Sequence, residues 1–340
     1  MSTDGNRSWQ MTGFGLSKLN PVSGRIPEPG PRELLVRTKA VSLNYKDKLI
    51  VDGMLIPDLS FPFVPTSDAV GEIVAVGGAV SRFQVGQRVL GQVIADWPDG
   101  DAPPVLHKHT LGSSLSGMLS EHVVFGEDAA VPAPASLSDV EAATLPIAAL
   151  TAWFAMTEAT RPVPGQTVLI QGTGGVSLFA LQFAVAFGLR AIVTSSSDEK
   201  LERAKDLGAW QVINYRSQPA WDEAARALTD GLGVNHILEM VGGDNARRSL
   251  NALAADGRLS IIGLLGAMEI SFPVLPFMRN RIVVQGISIG HRRSFERMSQ
   301  AIEALGIKPV IDKVYGFDEV PEAFGHLEKG PFGKIVIAMS

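Results

Sequence analysis

The feature that most constrains this chain is the run Thr167-Val168-Leu169-Ile170-Gln171-Gly172-Thr173-Gly174-Gly175-Val176-Ser177. A short apolar segment ends in a glycine-rich turn, and 177–188 then reads as a helix closed by a glycine. A strand, a tight glycine turn and a helix together lay an anion on the helix N-terminus. The backbone N–H groups and the positive end of the helix dipole both favour a pyrophosphate there. Gly172 permits the turn, and Gly174 removes a side chain where the backbone approaches phosphate. Ser177 stands where a third glycine is usual and is small enough to keep helix and strand close.

The units after the turn repeat this alternation. Strands are predicted at 190–194, 211–215, 235–240, 258–264 and 282–289, with helices at 198–208, 220–229 and 244–254 between them. Alternating units of this kind build a doubly wound parallel sheet, the Rossmann arrangement. Before residue 125 the texture differs. The segments 33–41, 69–77 and 86–94 read as short strands separated by glycine and proline, which suggests a compact β-barrel-like domain. Residues 96–118 lack periodicity and read as a long loop near the cleft. Ser138 and Glu141 form a capping-box pattern ahead of a helix. A helix at 295–305 and a strand at 333–338 end the chain, and that strand is expected to return to the first domain.

Hydrophobic residues make up 46% of the 340 residues, and the net charge is -5. No block of lysine or arginine stands out, so nucleic acid and anionic membrane are poor partners. Cysteine is absent, which removes disulfides, thiolate metal ligands and cysteine nucleophiles together. The opening residues show no apolar signal core, and no apolar run has the length of a membrane span. A cytoplasmic location is the expectation.

Several further stretches carry a resemblance: Leu43-Asn-Tyr-Lys-Asp47, Ser67-Asp-Ala-Val-Gly-Glu-Ile-Val-Ala-Val-Gly77, Leu145-Pro-Ile-Ala-Ala-Leu-Thr-Ala-Trp153, Ala209-Trp-Gln-Val-Ile-Asn-Tyr215 and Phe332-Gly-Lys-Ile-Val336. With the glycine turn, and in this order, they resemble the medium-chain dehydrogenase/reductase superfamily, and within it the zinc-independent quinone oxidoreductase-like group. The resemblance implies an α/β fold: a GroES-like, β-barrel-type catalytic domain over 1–127 and 293–340, and a Rossmann domain over 128–292, with the active site in the cleft. It also implies a homodimer, for which 271–278 and the strand at 282–287 offer an apolar segment and a sheet edge.

Where zinc alcohol dehydrogenases carry their catalytic zinc ligands, this chain has Asn44, Ser67 and Ile147, so no zinc is expected. The pair His107 and His109 lies in the irregular loop and reads as solvated. The resemblance points to Asn44 and Tyr45 as the residues that orient substrate and cofactor, with Tyr45 or a water as proton donor. Asp47 is expected to hold the loop through a salt bridge or backbone hydrogen bonds.

The cofactor is expected to lie on Gly172, Thr173, Gly174, Gly175 and Val176. No carboxylate ends the second strand, and Asp198 falls in the following helix turn. Ser195, Ser196 and Lys200 are therefore candidates for a 2′-phosphate pocket, which favours NADPH over NADH. The alternative is that Ser196 and Glu199 form only a capping box and Lys200 is a surface charge. Tyr215 is placed along the adenosine. Thr151, Val241, Gly263 and Leu264 fall where family members line the nicotinamide. Lys334 resembles a basic position near the pyrophosphate, or else is a strand-end lysine in solvent.

The expected activity is NADPH-dependent, zinc-independent hydride transfer to a quinone or conjugated enone, acceptors that need no strong Lewis acid. Alternatives are an enoyl-thioester reductase of the acryloyl-CoA type, with Arg292 and Arg293 as a phosphate-binding pair, a metal-free alcohol or aldehyde dehydrogenase, and a non-catalytic NADPH-binding sensor.

Overall fold

The fold was taken from a computed structural model, which describes residues 5–267 and 269–339. The described residues divide into two compact units, Met1–Leu150 with His291–Ser340, and Thr151–Gly290.

The first unit opens with an antiparallel pair, β1 (Asn6–Met11) and β2 (Leu19–Gly24). It continues with β3 (Glu33–Leu43), β4 (Asp68–Val76), β5 (Arg88–Gly91), β6 (His122–Gly126) and β7 (Ala130–Pro132). The second unit contributes β8 (Thr167–Gln171), β9 (Arg190–Ser195), β10 (Gln211–Asn214), β11 (Val234–Glu239), β12 (Leu253–Ile261) and β13 (Val283–Gly286). The chain then returns with β14 (Ile311–Gly316) and β15 (Lys334–Ala338).

In the first unit the sheet runs β14-β15-β3-β4-β5-β7, with β6 also paired to β3. The expected return of the C-terminal strand is seen as the antiparallel pairing of β15 with β3, Ile335 opposite Leu43. Met11, Leu34, Leu43, Ile73, Leu119 and Ile337 pack its core. Residues 96–118 form no regular element, only isolated bridges at Thr110, Leu111 and Leu115.

Residues 128–150 lie in this unit, although the sequence reading grouped them with the nucleotide-binding half. Pairing decides this: β7 is hydrogen-bonded to β5, and Arg88 holds Asp139 at 2.8 Å. The capping box at Ser138 forms, with the Ser138 N–H donating to Glu141 Oε2 at 2.8 Å. At the other end His291 also belongs to the first unit, its ring 5.6 Å from that of Trp97.

The second unit is a six-stranded parallel sheet in the order β10-β9-β8-β11-β12-β13. Numbered within the unit, this is the 3-2-1-4-5-6 order of the doubly wound dinucleotide-binding fold. β8 is buried at every position, as a central parallel strand covered on both faces must be. The strand order reverses between β8 and β11. Ligands of such sheets bind in the crevice at the carboxyl ends of those two strands.

At the opposite end of β11, His236 is buried and its Nε2–H donates to Gln166 Oε1 at 2.8 Å. Burial, reinforced by the Arg258 charge, lowers its pKa to about 4. The folded chain therefore keeps this imidazole neutral where the unfolded chain, with an ordinary pKa of about 6.5, takes up a proton. Its contribution to stability is complete above pH 6.5 and is lost as the pH falls towards 4. Relative to His236→Gln, wild type should lose about 2 kcal/mol of stability between pH 7.5 and 4.5. Urea unfolding of both proteins at the two pH values checks this, and a constant difference would mean that the histidine takes up its proton alike in the folded and the unfolded chain.

Candidate active site

In the second unit the site begins at the glycine turn. Gly172 has φ +78°, a left-handed conformation that a side chain would strain. Gly174 is the N-cap of the helix Gly175–Ala186, and no side chain caps it. A Cβ built on Gly174 would meet no atom within 4 Å. The helix thus presents its first N–H groups and its dipole to open space, the arrangement a pyrophosphate fits. Thr173 is buried within the turn. Ser177 is buried and its hydroxyl donates to Gln171 O at 2.7 Å, tying the helix to the strand end.

A buried polar network that sequence reasoning missed spans the switch point. Glu239, at the end of β11, is fully buried. Its Oε1 accepts from Val241 N at 3.0 Å, Gly242 N at 2.9 Å and Asn245 Nδ2 at 2.9 Å. Its Oε2 accepts from Gln171 Nε2 at 3.0 Å and from the Ser249 hydroxyl. Gln171 Oε1 accepts from Met240 N at 3.1 Å, so one side chain binds both strands of the crevice. The network fixes the turn that carries Val241. Gly263 sits beside it because a Cβ there would lie 2.0 Å from Met240 O. Val241, Gly263 and the half-exposed Leu264 are thereby brought together at the strand ends. Thr151 is buried in the short helix Leu150–Phe154. A charged residue ending an apolar strand just before Gly242-Gly243 was the available sign of Glu239.

Ser195 is buried at the end of β9, and its carbonyl accepts from Tyr215 N at 3.1 Å, so these two predicted residues do meet. Ser196 follows, partly buried. The cap of the next helix, Asp198–Asp206, is Ser197 and not Ser196: the Ser197 hydroxyl accepts from Lys200 N at 3.4 Å. The Ser196–Glu199 capping box is therefore not formed. Asp198 lies in the first helical turn as expected, its carboxylate accepting from Asn214 Nδ2 at 2.6 Å.

In the first unit, Asn44, Asp47, Asp68 and Lys334 are buried together. Asn44 Nδ2 donates to Asp68 Oδ2 at 2.9 Å, and Lys334 Nζ donates to Asn44 Oδ1 at 2.5 Å and Leu43 O at 2.8 Å. Lys334 is also 3.6 Å from Asp68 Oδ2. Asp47 holds the loop as expected, accepting from Asn44 N at 2.8 Å. Burial pushes Asp47 up to about 6, raises Asp68, and lowers Lys46 and Lys334; the opposite charges of the cluster hold each shift back. Lys334 is thus neither a solvated strand end nor free to reach a pyrophosphate, because its ammonium serves the interior of this unit.

Asn44 and Tyr45 diverge. The Asn44 amide is engaged by Asp68 and Lys334, whereas Tyr45 opens the helix Tyr45–Val51 and is 42% exposed. Of the histidine pair, His109 is held by Asp96 at 2.9 Å and His107 is exposed.

The three positions that the resemblance aligns with zinc ligands do gather, around Asp68. Asn44 donates to its carboxylate, the Ile147 N–H favours its ionised form, and Ser67 precedes it in the chain. An engaged amide, a hydroxyl and an aliphatic side chain do not fit zinc, which takes thiolate, imidazole and carboxylate donors. Among the described residues, no group of three His, Cys, Asp or Glu could hold a metal ion.

Two family models match the chain: the alcohol dehydrogenase GroES-like domain over residues 30–135, and the zinc-binding dehydrogenase over 175–304. A zinc-type alcohol dehydrogenase-like protein of Schizosaccharomyces pombe is 40% identical, over 95% of this chain and 96% of its own. Mouse quinone oxidoreductase is 27% identical, over 92% and 91%. A crystal structure from Sinorhizobium meliloti 1021 that carries an alcohol dehydrogenase name is 48% identical, covers both chains fully and superposes with a TM-score of 0.94.

Proposed function

Because the chain belongs to the medium-chain dehydrogenase/reductase superfamily, whose members bind nicotinamide cofactors, we propose that it is an NADPH-dependent reductase of quinones or conjugated enones that works without zinc. The coarser statement, an oxidoreductase of the alcohol dehydrogenase-like kind, follows from the same relatives. The observation that carries the metal-free reading is the engagement of Asn44 by Asp68 and Lys334 where a zinc ligand would stand.

When bound, a reduced nicotinamide supplies the hydride. Gly172, Thr173, Gly174, Gly175 and Val176 hold its pyrophosphate, and the turn fixed by Glu239 lines the nicotinamide with Val241, Gly263 and Leu264. Thr151 lies with these by resemblance. Ser195, Ser196, Lys200 and Tyr215 make the adenosine end. The preference for NADPH is supported by Ser195 at the strand end and by the hold of Asn214 on the Asp198 carboxylate. Quinones and enones are already activated acceptors, so hydrogen-bond donors suffice for the charge that develops on oxygen. Among the described residues Asn44 has an amide N–H left beyond the one given to Asp68, and Tyr45 has a phenol at the surface. The enoyl-thioester alternative loses support, since Arg292 contacts Asp128 at 3.0 Å and Arg293 contacts Asp99 at 2.5 Å.

The test is NADPH oxidation, with NADH alongside, against an ortho-quinone, a small enone and an enoyl thioester, all with chelator present. Turnover of quinone or enone with NADPH that survives the chelator is expected. Activity abolished by chelator would overturn the metal-free reading. Tight NADPH binding with no turnover would favour a sensor.

We further propose a homodimer formed at the outer edge of the second unit, and a cytoplasmic location. Among the described residues β13 pairs only with β12, and the adjoining helix Val274–Arg279 exposes Val274, Leu275 and Met278 at 70, 57 and 67%. An exposed strand edge beside an apolar surface is an aggregation hazard that pairing with a second copy removes. Light scattering should give twice the 36.2 kDa chain mass, and Val283→Lys should shift it towards one chain. A single-chain mass for wild type would overturn this.

A further inference from the structure

Two ammonium groups lie in the charged cluster of the first unit, and they differ in what they have left to give. Lys334 is buried, with Leu43 O, Asn44 Oδ1 and Asp68 around it. Lys46 is only partly buried. Its Nζ donates to Ser67 Oγ at 3.1 Å, its one hydrogen-bond partner among the described residues. The Ser67 hydroxyl donates its own proton to Leu111 O at 2.7 Å, so its lone pair is fixed towards Lys46. Ser67 is fully buried, which holds the ammonium in one place. An ammonium carries three N–H bonds, and two of them remain for a ligand.

Burial lowers the Lys46 pKa; Asp47 and Asp68 act on it from within the cluster and oppose that shift, and His107 of the irregular loop lies within range of its charge. Lys334 is balanced by the same carboxylates. The Lys46 amino group, oriented by a buried hydroxyl, thus stands beside Ser67, one of the three positions that gather around Asp68.

We propose that the Lys46 ammonium binds the substrate oxygen and carries the negative charge that develops there, as a metal cation would. This rests on the reading of the chain as a quinone or enone reductase. The acceptor gains a hydride at carbon, with the two electrons lost by the reduced nicotinamide. The displaced π pair moves onto the acceptor oxygen. A Lys46 N–H bond breaks as the O–H bond forms, and water returns the proton to Lys46. Lys46 is then a catalytic residue, and Ser67 is a positioning residue that acts through it.

The test compares wild type, Lys46→Met, Lys46→Gln and Lys46→Arg, with folding followed by circular dichroism. Turnover is measured with NADPH, and 4-nitrophenol, an oxyanion mimic whose ionised form is yellow, is titrated into the NADP⁺ complex. Loss of one oriented donor to a developing oxyanion costs roughly 100-fold or more in kcat, so that loss is expected for Met and Gln, with a smaller change in KM. Arg should retain part of the rate. Wild type and Arg should bind the yellow phenolate below the pH at which free nitrophenol ionises, and Met and Gln should bind the colourless phenol. A kcat within about threefold of wild type for folded Met or Gln variants would overturn the proposal. So would equal ionisation of bound nitrophenol in all four proteins. If wild type reduces neither quinone nor enone, the reductase reading fails by itself, and the nitrophenol comparison still decides whether Lys46 is an oxyanion site.

Discussion

Lys334→Met should destabilise the first unit by about 3–5 kcal/mol, the cost of removing one partner from a buried ionic group. Asp68 is fully buried and has Lys334 as its nearest cation, at 3.6 Å. Leu43 O and Asn44 Oδ1 lose their donor in the same substitution. For a unit of this size, the loss corresponds to a fall in melting temperature on the order of 10 °C. Adding Asp68→Asn removes the orphaned charge and should recover a large part of the loss. The measurement is thermal unfolding of wild type, the single variant and the double variant. A single variant that melts with wild type, or a double variant worse than the sum of the singles, would mean that Lys334 and Asp68 do not act as a pair.

Glu239→Ala is the second large effect, and it falls on the cofactor crevice. Five donors converge on this carboxylate: Val241 N, Gly242 N, Asn245 Nδ2, Gln171 Nε2 and the Ser249 hydroxyl. Each donor left buried without an acceptor costs about 1–3 kcal/mol, although relaxation and entering water recover part of the total. A loss of about 3 kcal/mol or more in stability is expected. The two backbone donors belong to the turn that packs on Gly263, so NADPH affinity should fall by at least about tenfold as well, roughly 1.4 kcal/mol. Glu239→Gln keeps the shape but turns an amide N–H against donors, and should be intermediate. Urea unfolding and NADPH fluorescence titration give both numbers. Unchanged affinity in a folded Glu239→Ala protein would separate the network from the crevice it spans.

How far each part of the molecule was legible depends on the range of the interaction that makes it. The second unit was legible because its signals are short-range. The run from Thr167 to Ser177, the apolar strands and the spacing of the helices each act within about a dozen residues. The strand order 3-2-1-4-5-6 then follows from right-handed connections on a parallel sheet. The Ser138–Glu141 capping box is local in the same way. At Ser196 and Ser197 the local signal was degenerate. Three serines in succession all suit an N-cap, and only the actual end of β9 selected Ser197.

The polar interior of both units was decided by tertiary structure. Lys334 meets Asn44 across 290 positions of sequence, and Gln171 meets Glu239 across 68. No periodicity records such pairs. A lysine in an apolar strand reads as a strand end until β15 pairs with β3 and carries it inside. The division at residue 150 was likewise set by the pairing of β7 with β5 and not by texture. The sequence by itself determined the two kinds of fold and the glycine turn, because turn chemistry and apolar periodicity are local. Only the tertiary structure decided which charged side chains are buried together, because a buried polar group must find its partner in space, wherever in the chain that partner stands.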